Sequence, residues 1–109
     1  MTDDRPTGDP GPDGLAIEDD PKARRYEARI GGELAGWVDY GRVGTRLVAL
    51  HTEVLPQFGG RGIASALVRH VLADARASGL TITPRCPFFR RHFERHPEDA
   101  DLLAVPPGD

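Results

Sequence analysis

Between Val54 and Ile63 the hydrophobic period of this chain changes, and it changes across a run of glycines, Gln57-Phe58-Gly59-Gly60-Arg61-Gly62. Before the run, Tyr26, Ala28 and Ile30 alternate with Glu27 and Arg29, the period-two pattern of a half-buried strand. After it, Ile63, Ala64, Leu67, Val68, Val71, Leu72 and Ala75 fall on one helical stripe, with Arg69, His70, Asp74 and Arg76 around it. A strand that ends in a glycine turn and opens a helix restricts the chain to folds in which a helix N-terminus stands at a strand end.

The neighbouring segments extend that pattern. Gly31-Gly32 reads as a hairpin turn, so Leu34 to Tyr40 follows as a second strand. Gly41-Arg42-Val43-Gly44 reads as a second turn, and Arg46 to Val54, richer in apolar residues, as a third and more central strand. Gly79 stops the long helix. Leu80 to Thr83 is a short β-prone run, and a helix is expected from Phe88 to about Arg95, with Pro87 in its first turn. His96-Pro97 ends it, and Pro97 to Leu103 suits a last short helix. The implied fold class is α+β: a mixed sheet made of an antiparallel meander, followed by the glycine loop, a central helix, a strand and short C-terminal helices. The strand–helix–strand passage predicts a right-handed crossover.

Composition sets the limits. A chain of 109 residues has room for one small domain. Residues 1–20 carry seven acids and one base among several prolines and glycines, and are expected to be a disordered acidic tail. Residues 21–104 are expected to form the domain, and 105–109 a flexible end. The remaining thirteen bases and ten acids make residues 21–109 mildly cationic. There is no dense basic stripe, which disfavours nucleic acid, whereas a compact anionic ligand suits such a charge. No apolar run approaches the ~20 residues of a membrane helix, and the acidic start lacks the pattern of a signal peptide, so a cytoplasmic, membrane-free monomer is expected. The single cysteine, Cys86, excludes an intrachain disulfide.

The glycine loop is a natural anion site. A helix N-terminus offers N–H groups without intrahelical partners and a partial positive charge, the glycines let a phosphate approach the backbone, and Arg61 adds a formal charge. A P-loop requires Gly-Lys-Ser/Thr, and no Lys stands here. A dinucleotide fingerprint requires a third glycine where this chain has Ser65, and requires a parallel unit before it. A pyrophosphate loop of the acyltransferase type remains, beside a glycine turn that holds nothing.

Gln57-x-x-Gly60-x-Gly62 resembles the Q/R-x-x-G-x-G/A signature of the GCN5-related N-acetyltransferases. His51-Thr52-Glu53-Val54, then the loop, then Cys86-Pro87-Phe88 and His96-Pro97-Glu98 look like the small single-domain branch of that superfamily, over roughly Tyr26 to Leu103. The resemblance implies transfer of an acetyl group from acetyl-coenzyme A, the cosubstrate, to an amine, either a small molecule or a protein lysine or N-terminus. A coenzyme A-binding module without turnover is the alternative. It implies that Arg61, Gly62, Ile63 and Ala64 lie at the pyrophosphate, with Gly59 and Gly60 in the same loop and Gln57 at its border. Glu53 and Val54 would lend backbone hydrogen bonds to the pantetheine arm.

The same resemblance assigns catalysis to His51 and Cys86. His51 would accept a proton from the attacking amine. Cys86 would protonate the departing thiolate or carry the acetyl group as a thioester. Larger relatives often place a tyrosine acid on the helix after the last core strand; this chain has Phe88, Phe89 and Phe93 there and no tyrosine after Tyr40. Glu53 alternates with His51 and suits either a second base or a salt bridge. Trp37 reads as a core anchor. Cys86, His92 and His96 have the residue types of a zinc site, but His96 precedes Pro97 at a helix end and a fourth ligand is not evident, so no metal is expected.

Overall fold

Period-two segments pair in the order in which they are made. The computed structural model describes residues 14–104. It contains a five-stranded sheet in the order β1-β2-β3-β4-β5: β1 (Leu15–Asp20), β2 (Arg25–Ile30), β3 (Glu33–Val43), β4 (Arg46–Val54) and β5 (Thr81–Pro84). The first four strands run antiparallel and β5 joins β4 in parallel. Between β4 and β5 lie a one-turn 3-10 helix, Pro56–Phe58, and α1 (Ile63–Ser78); after β5 come α2 (Pro87–Arg95) and a 3-10 stretch, Pro97–Leu102. The mixed α+β sheet expected from the sequence is therefore the fold.

One boundary expectation is corrected. Leu15–Asp20, assigned to the acidic tail, forms β1 and pairs along its whole length with β2. The composition is acidic, but Leu15 and Ile17 face the core and the edge of β2 supplies the ladder, so tertiary pairing overrides local polarity. Residues 1–13 and 105–109, expected to be a tail and a flexible end, lie outside the described residues. The second turn is also tighter than expected. β3 continues through Gly41 to Val43, leaving Gly44-Thr45 to reverse the chain.

The core lies on one face of the sheet. Val38, Leu47, Ala49 and Ile82 meet Leu67 and Val71 of α1 and Phe89 of α2 in one buried cluster. The helical stripe was read almost correctly: Ala66 is buried where Ala64 was expected, and Ala64 is half-buried near the loop. At its far end α1 stops at Gly79, whose N–H turns back to Ala75 and Arg76. A polar seam closes the core beside β1. Tyr26 donates to Asp74 at 2.5 Å and Tyr40 to Asp19 at 2.6 Å, with the two rings 5.3 Å apart. Burial, reinforced by those carboxylates, pushes both phenols well above the usual tyrosine range. No helix among the described residues is long and apolar enough to cross a membrane.

Candidate functional site

The glycine loop is anchored by an aromatic ring. Phe58 is buried below it, and Arg61 lies over that ring with its guanidinium 5.6 Å from the centroid. Gly60 and Gly62 take φ of +77° and +76°, a region in which a side chain is strained. A Cβ on either would meet nothing within 4 Å, so backbone twist rather than crowding requires glycine here. Gly62 caps α1 without any side-chain hydrogen bond, and the first turn holds no acid. The result is an exposed, glycine-lined helix start with no side-chain cap beside an arginine, the geometry that suits a phosphate. The residues present therefore fit the pyrophosphate of coenzyme A. Gln57, Gly59, Gly60, Arg61 and Gly62 are exposed, Ala64 is half-buried, and Ile63 is buried with its side chain in the core.

Next to this loop the sheet opens. The β4–β5 ladder runs from Arg46–Thr81 to Ala49–Pro84 and ends there. The N–H groups of Arg85 and Cys86 both turn onto the Ala49 carbonyl, at 2.9 and 3.0 Å, and Pro87 starts α2. Beyond Ala49, β4 continues against β3 alone among the described residues, so Leu50 to Val54 present a strand edge that β5 has left. Glu53 and Val54 stand on that stretch. At Gly36 the two remaining strands come very close: a Cβ there would sit 2.6 Å from the Glu53 carbonyl oxygen.

A bulge at the same place changes which side chains face the core. Tyr40 pairs with Ala49 and Asp39 with His51, which leaves Leu50 as an extra residue on β4. Before the bulge Leu47 and Ala49 point inward; after it Thr52 does, and His51 and Glu53 point outward. The two catalytic candidates consequently lie on opposite faces of the sheet. Cys86 is 2% exposed and its thiol donates to Thr52 Oγ1 at 3.2 Å. The His51 side chain is 58% exposed, with Nε2 2.9 Å from Glu53 Oε1. The structure brings Cys86 to Thr52 and His51 to Glu53. Thr52 was not singled out from sequence, because the bulge that turns it inward leaves no local sign.

One further residue differs from expectation. Trp37 is half-buried on the outward face rather than a core anchor, and the Arg25 guanidinium lies 4.9 Å from its ring centroid. A shallow groove between α1 and α2 is lined by Ala64, Ser65, Phe88, Arg91 and Arg95, and so continues the cationic character of the loop. His92 and His96 stack at 4.4 Å and bond to Asp99 and Glu98, respectively. Among the described residues no group of three or more His, Cys, Asp or Glu is placed to hold a metal ion.

Comparison with known proteins gives this geometry a context. Residues 25–102 match the model of a family described as GCN5-related N-acetyl-transferase. No curated protein matches the sequence. A GCN5-like N-acetyltransferase structure from Staphylococcus aureus is similar at a TM-score of 0.65 and 20% identity, over 89% of this chain and 95% of that one. A ribosomal-protein-alanine N-acetyltransferase from Brucella melitensis aligns at 0.58 and 20%, over 78% of this chain and 64% of that one. The ribosomal-protein-S18-alanine N-acetyltransferase from Escherichia coli aligns at 0.53 and 14%, over 67% of this chain and 43% of that one. The chain thus spans nearly all of the small relative and less than half of the E. coli enzyme. The mixed sheet with its helices is shared by all three.

Proposed function

Because the chain belongs to the GCN5-related N-acetyltransferase family and is an acyltransferase of that type, we propose that it moves an acetyl group from acetyl-coenzyme A to an amine. One observation carries the reading: the uncapped, glycine-lined start of α1 stands beside the β4 edge that β5 leaves at Ala49. In this reading the amides of Arg61, Gly62, Ile63 and Ala64 hold the pyrophosphate. Gln57, Gly59 and Gly60 border it, and the backbone of Glu53 and Val54 bonds the pantetheine arm.

In the same reading two side chains divide the chemistry. His51 takes a proton from the incoming amine, its ring oriented by Glu53 at 2.9 Å. The amine nitrogen bonds to the thioester carbon, the carbon–sulfur bond breaks, and the coenzyme leaves as a thiolate. Cys86 gives that thiolate a proton. Its burial disfavours prior acetylation of its sulfur.

Mass spectrometry after incubation with acetyl-coenzyme A tests the cysteine role: a stable acetyl adduct on Cys86 would replace proton donation by a thioester route. Gly60→Glu places a carboxylate where the pyrophosphate is expected, and binding of acetyl-coenzyme A should be lost while the fold persists. Normal binding by that variant overturns the loop assignment. The separation of Cys86 from His51 favours a second reading, a coenzyme A-binding module without turnover. Loss of transfer in Cys86→Ala with binding retained supports the enzyme; no transfer by the unmodified chain to any amine supports the module.

A further inference from the structure

Among the described residues the helices cover one face of the sheet. The buried side chains of α1 and α2 belong to a single cluster with the inward residues of β2 to β5. Among the described residues no helix packs on the opposite face, and its central part is a patch of four side chains. Strand register sets Trp37 across from Glu53 and Asp39 across from His51. Neighbours so paired stand about 4.5–5.5 Å apart, so the four form one continuous surface. It lies on the β4 stretch that β5 has left, where the acetyl group would be presented under the proposed function.

The charges on this face are unevenly compensated. Glu27 is held by Arg25 at 3.0 Å and Arg29 at 2.9 Å. Those hydrogen bonds hold its carboxyl below the usual range. Arg25 is the register partner of Asp39 on β2, yet it turns to Glu27 and stacks on Trp37. Among the described residues Asp39 has no side-chain hydrogen bond or ion pair, although it is half-buried. Glu53 has only His51, a group that is cationic only when protonated. The candidate base therefore sits between two carboxylates, one of them unmatched, beside an indole that already accepts one cation. Among the described residues no element stands over this face to wall off a long substrate.

Resting on the acetyl-transfer reading, we propose that this patch receives the acceptor and that the acceptor is an alkylammonium of the lysine type, either a polyamine or a lysine side chain. The aliphatic stem lies along Trp37 and the cationic head is drawn between Asp39 and Glu53. His51 removes one proton from the ammonium. The nitrogen then bonds to the acetyl carbon, the carbon–sulfur bond breaks, and the nitrogen loses its second proton as the departing sulfur gains one. The net change is alkylammonium plus acetyl-coenzyme A to acetamide, coenzyme A thiol and one proton.

The experiment uses the full chain and acetyl-coenzyme A with four acceptors: cadaverine, Nα-acetyl-lysine amide, a lysine-free peptide with an alanine N-terminus, and p-aminobenzoate. The expected kcat/KM is at least about tenfold higher for one or both of the first two than for the last two, and the better of them identifies the source. Asp39→Asn and Trp37→Leu should each raise the acceptor KM by about tenfold and leave the Kd for acetyl-coenzyme A unchanged. Glu33→Gln, an exposed carboxylate at the start of β3, should change neither. Thermal melts of each variant check folding. Equal or greater use of the alanine peptide or p-aminobenzoate overturns the proposal. So does an unaltered KM in folded Asp39→Asn and Trp37→Leu, or coenzyme binding with no transfer to any of the four. Absence of acetyl-coenzyme A binding overturns the acetyl-transfer reading itself, and this proposal with it.

Discussion

The two halves of β4 have the same strand geometry and different surroundings. Arg46 to Ala49 is bonded on both edges, to β3 and to β5, and buries Leu47 and Ala49. Among the described residues Leu50 to Val54 is paired with β3 only, and Thr52 is its one fully buried side chain. The first half is where the sheet is made stable. The second keeps a backbone edge for a ligand to pair with, which is what a strand-like pantetheine arm requires. The bulge at Leu50 divides them and sends the next side chains to the opposite faces. Stability and site are thus separated along a single strand.

The most direct way to break this comparison is to truncate each half. Leu47 is 2% exposed in the core cluster, and Leu47→Ala should destabilise the protein by about 2–5 kcal/mol. His51→Ala removes an exposed side chain and should change stability by no more than about 0.5 kcal/mol. Urea unfolding of both variants checks the contrast, and comparable losses would mean that the second half is as structural as the first.

A smaller effect is expected where the halves share a neighbour. Gly36 supports the second half by close approach, with an ideal Cβ only 2.6 Å from the Glu53 carbonyl oxygen. The obstacle is backbone, so Gly36→Ala must move β3 from β4, at a cost of about 1–3 kcal/mol. Coenzyme binding should weaken together with stability, because the displaced strand carries Glu53 and Val54. A calorimetric titration that finds unchanged binding would detach the β4 edge from the proposed site.

The first half also borders the tyrosine seam, since Tyr40 pairs with Ala49. Tyr26 and Tyr40 have phenol pKa values raised by burial and by Asp74 and Asp19. A group whose folded pKa exceeds its unfolded value contributes stability below the unfolded value, near 10 for tyrosine, and loses it as pH rises toward the folded one. Thermal stability should therefore fall above about pH 10, and the fall should be shallower in Tyr26→Phe. An ordinary phenol titration in the folded protein, read by absorbance, would contradict the closed seam.

Much of this arrangement was legible in the sequence, for identifiable reasons. Periodicity marked β2 and α1, because each has one face in the core and one outside, while glycine turns, apolar or β-prone runs and Pro87 marked β3 to β5 and α2. The loop was legible because Gly60 and Gly62 need positive φ and polar residues could not replace them without strain. β1 was not, since Asp19 and Asp20 are polar for local sequence and the strand forms by pairing with β2. The opposite facing of His51 and Cys86 was hidden as well. A one-residue bulge has no composition of its own, and without it a simple alternation from Leu47 would turn His51 inward. Arg91 and Arg95 lie on α2, and only the fold sets them in one groove with Ala64 and Ser65.

The smallest expected effect sharpens the comparison most finely. Thr52 is the second half's one buried side chain, and its hydroxyl accepts the Cys86 thiol at 3.2 Å. Thr52→Val preserves shape and removes the acceptor. A thiol is a weak donor, so the loss of stability should stay within about 1 kcal/mol. If Cys86 supplies the proton to the leaving thiolate, its orientation matters more to transfer than to folding. Thr52→Val should then lower kcat while leaving the Kd for acetyl-coenzyme A unchanged, and Thr52→Ser should restore it. A loss of 3 kcal/mol or more would instead make Thr52 a core residue like Leu47, and the division of β4 at Leu50 would not hold.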